Sequence, residues 1–579
     1  MLLLGVVFVI AQNLFAIYPA QLVRKALDTM ILTLKNASGA TQDDVVQTIS
    51  HHVFIFLLVI VGVAIVRGIL MFLMRQTIIV VSRKIEFDLK NEIFHQYQRL
   101  SLSFYRRNNT GDLMNRISED VNRVRMYLGP AVMYTINLVV LFVFIIVSML
   151  SVNVKLSLYV LAPLPFLSLS IYWVSDIMNR KGEEVQEQQS TLSTFAQEAF
   201  SGIRVLKSFA KEAQSENDFS KESDHYKDKS LSLAKVNAMF FPLMLLLVGL
   251  STLLTVYIGG KEVIAGNITA GNIAEFIIYV NMLTWPVASL GWVTSIVQRA
   301  AASQERINEF LRLEPEIMSA SSSPFDIAGK IKFDNVSFVY PDSGIQALDS
   351  VSFEIEAGKS LAVLGKTGSG KSTIANLLLR MYDATGGQIL IDEHQIQLIS
   401  LSVLRKQIGY VPQDVFLFSD TIKNNIEFGL AAELKEDERT QLAYEAAKQA
   451  VIYDSIMEFP NKFGTLIGER GVTLSGGQKQ RISIARAIIR QPKILLFDDC
   501  LSAVDTKTEE HILNNLKEVM KNKTSLIISH RVSSVKHADQ IIVLDAGKII
   551  ERGTHFSLLA EKGTYFDLYE KQLMEEEVE

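Results

Sequence analysis

One cysteine, Cys500, stands among 579 residues. That excludes an internal disulfide and suits a reducing compartment for the soluble part of the chain. Cys500 follows an apolar, strand-like run and reads as a small buried residue rather than a reactive thiol. Net charge is equally scarce: 57 Lys and Arg against 62 Asp and Glu leave -5 at neutral pH and a pI of about 6.1, so no nucleic-acid partner is indicated. The opening run, MLLLGVVFVIAQNLFAIYPA, has no basic stretch before it and no small-x-small cleavage site after it. It therefore reads as a first membrane helix and not as a secretory leader. The missing basic residues also lead us to expect a chain that starts late, without an amphipathic entry helix. Apolar residues are what the chain has in excess. They make up 49% of it, with a mean hydropathy of +0.23, whereas a soluble protein of this size normally averages below zero.

That excess lies in the first half. Crossing about 30 Å of hydrocarbon takes about 20 apolar residues, and six segments qualify, at roughly 1–20, 53–74, 130–151, 155–176, 238–259 and 273–296. Spans three and four are separated only by SVNVK at 151–155, which predicts a tight turn. Long, charged, helix-like connections follow spans two and four, each with about nine or ten Lys and Arg, against about three in the 21–52 loop. The positive-inside rule then places these connections, both termini and the tail domain in the cytoplasm of a multi-pass protein of the cell (inner) membrane. Stretches such as SRKIEFDLKNEIFHQYQRL at 82–100 keep helical periodicity with few breakers. Spans two to five are accordingly predicted to run on beyond the bilayer as helical hairpins. Stop signals fall at Asn108-Asn109-Thr110-Gly111 and at Ser201-Gly202. Inside the spans, Arg67 reads equally as a cavity residue or as one that snorkels to the interface. Asn13, Asn137, Asn281 and Trp285 line a cavity on one reading and pack helix against helix on the other.

A linker with two prolines and a serine cluster, LRLEPEIMSASSSPFDIAG at 311–329, closes this part. The expected division is a membrane domain at 1–310, the linker, and a nucleotide-binding domain at 330–579. The expected fold class is an all-α membrane domain of six transmembrane helices fused to a cytoplasmic α/β P-loop domain. In the second part, GKTGSGKS at 365–372 matches G-x-x-x-x-G-K-[ST], between the apolar strand SLAVLG and the helix TIANLLLRMY. The loop residues Gly365, Lys366, Thr367, Gly368, Ser369 and Gly370, with Lys371, Ser372 and Thr373 opening the helix, suit the phosphate oxygens of ATP. Lys371 has the reach for the β- and γ-phosphates and Ser372 the hydroxyl for Mg²⁺. ILLFDD at 494–499 is a buried-strand signal ending in two carboxylates. Asp498 is the expected Mg²⁺ partner, and Asp499 stands where a nucleotide hydrolase orients water.

With these motifs in place, the chain resembles the ATP-binding cassette superfamily over essentially its whole length, and within it the six-span exporter half-transporters of multidrug and lipid type. LSGGQ at 474–478 resembles the family signature. The resemblance implies that two cassettes meet head to tail, so that Ser475, Gly476, Gly477 and Gln478 reach the ATP of a partner. It also implies that Gln413 in YVPQDVFLF is the Q-loop residue at Mg²⁺, and that Tyr340 in FVYPD stacks on adenine. Asp505 in SAVD would be the D-loop aspartate, and His530 in LIISHR the switch histidine at the γ-phosphate. Alone, Gln413 and His530 are ordinary loop and strand-end residues and Tyr340 an ordinary core aromatic; the resemblance is what assigns them. TLIGERG at 465–471 is similar to the X-loop of exporters. FYRRNNTGDLMNRISEDV at 104–121 and GIRVLKSFAKE at 202–212 are similar to their intracellular coupling segments.

One residue departs from the pattern. Family members with two active sites carry glutamate where Asp499 stands. The shorter side chain draws the carboxylate back by about 1.5 Å, whereas a water-orienting base must lie within about 2.6–3.2 Å of its proton. Either Asp499 serves after a small backbone adjustment, or this site is weakened and the chain pairs with a second half-transporter that keeps the glutamate. We favour the second, with hydrolysis mainly in the partner's site. The function implied is ATP-driven export of amphipathic drugs, lipids or peptides across the bilayer by alternating access. An ATP-gated, channel-like or regulatory protein is the alternative.

Overall fold

The computed structural model describes residues 1–36, 41–319, 325–430, 434–468, 474–500 and 514–578. Contacts divide the chain into two compact units, residues 1–97 with 111–312 and residues 98–110 with 313–579.

The first unit is helical. Six helices are long and apolar enough to cross a membrane: Leu2–Lys35, Gln42–Arg99, Thr110–Val152, Val154–Ser201, Glu212–Ile264 and Ala270–Leu311. Each expected span lies inside one of them. At 1.5 Å per residue, the 58 residues of the second helix reach about 87 Å, nearly three times the hydrocarbon thickness. The first and sixth helices also outrun their apolar stretches, ending at Lys35 and Leu311, an extension that counting apolar residues does not predict. Asn153 makes the tight turn between the third and fourth: its backbone is extended, and its side chain accepts a hydrogen bond from the Leu156 N–H at 2.8 Å. The two stop signals act where expected, with helices ending at Arg107 and Ser201. The third helix carries π-helical turns at Arg116–Asp120 and Tyr127–Ala131; the second contains Pro130, which has no N–H for the regular ladder.

The core of this unit joins Ala16 and Ala20 of the first helix, Ile145 and Met149 of the third, and Phe276, Tyr279 and Leu283 of the sixth. The apolar stretch of the second helix is turned outward, with Phe54, Leu58, Ile65, Ile69 and Phe72 exposed, a surface that hydrocarbon accepts without cost. Polar side chains inside the bundle are mostly tied together. Gln12 and Asn13 both donate to Asn137 Oδ1, the latter at 2.9 Å, so helix-to-helix bonding is the reading realised for Asn13 and Asn137. Asn281 bonds within its own helix, to Ile277 O at 2.8 Å, and Trp285 is exposed. Arg67 Nε is buried with no hydrogen-bond partner among the described residues. Glu275, 1% exposed, accepts from Arg24 at 3.1 Å, Asn272 at 3.2 Å and Tyr279 at 2.9 Å. That cluster ties the first helix to the sixth.

The second unit is α/β. Strands β1 (Ile331–Val339), β2 (Gln346–Ile355), β4 (Gly386–Ile391) and β5 (His394–Gln395) form an antiparallel sheet in the order β2-β1-β4-β5. Strands β3 (Ser360–Gly365), β6 (Ile408–Val411), β7 (Ile494–Asp498), β8 (Thr524–Ser529), β9 (Gln540–Asp545) and β10 (Lys548–Gly553) form a second sheet, ordered β10-β9-β3-β8-β7-β6. Within it β9, β3, β8, β7 and β6 are parallel and β10 is an antiparallel edge. Parallel strands are covered on both faces and so read as unbroken apolar runs: β7 is buried at every position. One core packs Phe333 and Phe338 of β1 with Leu361 and Val363 of β3 and Ile374 of the following helix. A second gathers Ile422, Ala443, Ile456 and Ile482 with Leu495, Phe497 and Cys500, so the cysteine is a buried core residue.

Candidate functional site

Parallel strands of an open α/β sheet bring their carboxyl ends to one edge, and the loops leaving that edge build sites. Here β3, β8, β7 and β6 are neighbours. The loop at 365–370 leaves β3, His530 follows β8, Asp498 and Asp499 close β7, and Gln413 follows β6. Register pairs Leu364 with Ser529 and Asp498 with Ile528. Residues more than a hundred positions apart in the sequence therefore converge within hydrogen-bonding reach.

The loop owes its shape to glycine at two positions. Gly370 caps the helix Lys371–Leu378 at φ +100, and a Cβ there would lie 2.2 Å from Ala347 O; at Gly365 it would lie 2.2 Å from Leu544 O. Ser369 Oγ is buried without a hydrogen-bond partner in the described structure, and the space beside Gly368 is open. With the N–H groups that open the helix Lys371–Leu378, these features suit a polyphosphate. Lys371 folds back to donate to Gly365 O at 2.8 Å and Lys366 O at 2.7 Å. Burial holds its amine below the ordinary lysine value, partly offset by Asp499 and Asp498. Ser372 Oγ donates to Asp498 Oδ1 at 2.9 Å. These two hard oxygen donors suit Mg²⁺, which fills the rest of its shell with phosphate and water. Burial pushes the Asp498 carboxyl above the ordinary aspartate value; Asp499 adds to the rise, while Ser372 and Lys371 oppose it.

Asp499 sits at φ +46, an unusual backbone state for a residue with a side chain. Its N–H bonds Ile528 O at 2.8 Å. Its carboxylate lies 2.8 and 3.0 Å from His530 Nδ1 and accepts from Gln413 Nε2 at 3.3 Å. Three of the anticipated residues thus meet in one hydrogen-bonded group. Tyr340 reaches the loop's helix, its hydroxyl 3.0 Å from Thr373 Oγ1. The signature segment keeps to itself: Ser475 caps the helix Gly476–Ile488, its hydroxyl accepting from the Gln478 N–H at 3.2 Å, and Gln478 Oε1 accepts from the Ser475 N–H at 3.0 Å. Among the described residues no hydrogen bond joins it to the phosphate loop. Asp505 and residues 469–471 of the TLIGERG segment lie outside the described residues.

Comparison with known proteins matches residues 2–287 to the ABC transporter transmembrane region and residues 348–502 to the ABC transporter domain. The chain belongs to the ABC transporter family. A probable multidrug resistance ABC transporter ATP-binding/permease protein, YheI of Bacillus subtilis (strain 168), is 35% identical over 98% of this chain and 94% of its own. An ATP-dependent lipid A-core flippase of Syntrophus aciditrophicus (strain SB) is 35% identical over 86% of this chain and 82% of its own. A bacterial Atm1-family ABC exporter with ATP bound has the same fold, with a TM-score of 0.76, 28% identity, and coverage of 99% of this chain and 97% of that one. This protein is thus a multi-pass ABC exporter whose ATP-binding domain is an ATPase coupled to transport. Half-transporters of this kind act as dimers within the membrane.

Two residues of the second compact unit have roles that the sequence reading did not assign. Gln572, near the carboxyl terminus, donates to His530 O at 2.9 Å and accepts from the Val532 N–H at 2.6 Å, so it steadies the backbone of the histidine segment. Arg106 is the other: its guanidinium lies 5.2 Å from the Tyr340 ring centre. Its only sequence signal is its place within FYRRNN.

Proposed function

We propose that this ABC exporter is one half of an asymmetric dimer that drives amphipathic drugs, lipids or peptides out through the bilayer. Its membrane domain would run over 1–310, with the linker at 311–329 and the nucleotide-binding domain at 330–579. ATP and Mg²⁺ bind at the 365–373 loop with Tyr340, Gln413 and Asp498, while Ser475 to Gln478 and Asp505 complete the partner's site. Binding closes the dimer's two nucleotide-binding domains on each other, the spans open outward, and hydrolysis resets the inward-facing state. The relatives described as a multidrug transporter and as a lipid A-core flippase support this class of cargo.

The observation that carries the asymmetry is Asp499. Its carboxylate, one methylene shorter than a glutamate's, is engaged by His530 and Gln413. A base placed about 1 Å short loses on the order of 100-fold in rate. The partner is a second half-transporter that keeps the glutamate. The reading is tested by phosphate release from lipid nanodiscs holding this chain alone or with such a partner. Slow release and stable nucleotide trapping by the chain alone, with fast release in the pair, are expected. Fast release by the chain alone would overturn it.

A further inference from the structure

The short helix Leu102–Arg107 belongs by contact to the nucleotide-binding unit, although the chain delivers it straight from the end of the second membrane helix. Three contacts pin it there. Leu102 packs against the core that holds Phe338 and Tyr382. Ser103, 2% exposed, donates to Glu316. Arg107 pairs with Glu316 at 3.4 Å. Arg106 takes no part in that anchoring, and among the described residues no carboxylate pairs with it. Its guanidinium lies instead 5.2 Å from the ring centre of Tyr340 and 5.8 Å from that of Tyr382. The two rings meet at 85° with centres 5.6 Å apart, so the cation stands in the corner between them. Tyr382 is the inner wall, only 5% exposed, and Phe338 backs both rings at 4.9 and 5.4 Å. The Tyr340 face turned into the corner is thereby taken, which leaves the opposite face for a ligand.

We propose that Arg106 is a positioning residue for the nucleotide base: it holds Tyr340 from behind while the base stacks in front, so that base occupancy and docking of the 102–107 helix strengthen each other. The proposal rests on the reading above that Tyr340 receives adenine. The physical basis is simple. Tyr340 is already tethered at its hydroxyl to Thr373, three residues beyond Gly370. A cation on the rear face fixes the ring plane and draws electron density from it, and an exposed or partly exposed contact of this kind contributes a few-fold in affinity. Linkage then requires the effect to run both ways: whatever Arg106 adds to base binding, bound base adds to the hold of the helix on the domain.

A double-mutant cycle on the full-length chain in lipid nanodiscs tests this, with calorimetric titration of the magnesium complex of a non-hydrolysable ATP analogue. Arg106→Ala should weaken binding by about two- to fivefold. On a Tyr340→Ala background the same change should have no further effect. Affinity unchanged in Arg106→Ala, or an equal loss with and without Tyr340, would overturn the proposal; the second result would make Arg106 a remote charge acting on the phosphates. If Tyr340→Ala itself binds as tightly as the parent, it is the adenine platform that fails, a distinguishable outcome. A second measurement reads the reverse direction. The analogue should slow amide exchange over 102–107 in the parent, and equal slowing in Arg106→Ala refutes the linkage.

Discussion

Asp499→Glu adds one methylene to a carboxylate whose surroundings are set. In the parent, the two carboxylate oxygens lie 2.8 and 3.0 Å from His530 Nδ1, and one accepts from Gln413 Nε2 at 3.3 Å. The Asp499 backbone is held by its N–H to Ile528 O, so the extra length, about 1.5 Å, is delivered to the side-chain end rather than absorbed by the strand. A general base in reach of its proton contributes about 10²–10⁴ in rate, and a misplacement of about 1 Å forfeits about 10². We therefore expect Asp499→Glu to raise hydrolysis at this chain's own site by about 10- to 100-fold. The assay is single-turnover phosphate release from the assembled pair, with the partner's catalytic glutamate replaced by glutamine so that only this site reports. Asp499→Asn serves as the companion. If the parent aspartate contributes little as a base, the asparagine variant stays within about threefold of it, a small fraction of the full effect of a positioned base. An unchanged rate in Asp499→Glu, or a collapse in Asp499→Asn, would refute the reasoning, since either would show the aspartate to be a competent base already.

Two further outcomes follow from named contacts. Asp498, raised above the ordinary aspartate value chiefly by burial, binds more protons folded than unfolded between those two values. Its contribution therefore falls as pH rises through them, and at neutral pH the buried charge is a net cost. Asp498→Asn keeps an acceptor for Ser372; it should stabilise the nucleotide-free domain by about 0.5–2 kcal/mol at pH 7 and less at pH 4, and abolish Mg²⁺-ATP stabilisation, as read by thermal melting with and without ligand. In the membrane unit, Arg24→Ala leaves the Glu275 carboxylate buried without its cation, which should cost about 3–5 kcal/mol. Arg24→Met with Glu275→Leu should recover most of the loss in melting temperature in detergent; no recovery would mean that the packing of the first and sixth helices, not the charge pair, is what the single change disturbs.

Much of this protein was legible before any coordinates, for physical reasons that act locally. Membrane crossing is a matter of apolar length, so six runs of residues announced six helices, and Asn108 and Gly202 marked where two of the helical connections break. A phosphate loop needs its glycines and lysine at fixed spacing, so GKTGSGKS and the carboxylates after ILLFDD could be assigned chemistry from order alone. The substitution at Asp499 was likewise visible as a letter. What the letter does was not. Its link to His530 and Gln413 exists because β6, β7 and β8, separated by long stretches of chain, are laid side by side with their carboxyl ends at one edge, and hydrogen bonds across such a sheet have no local pattern to betray them. The same holds for Asn13 with Asn137 and for Glu275 with Arg24, where helix packing chose partners that periodicity leaves undetermined. Arg106 is the clearest case: sequence placed a basic pair after a charged helical connection, and only the folded domain decided that one arginine would pair with Glu316 while its neighbour settled on an aromatic ring.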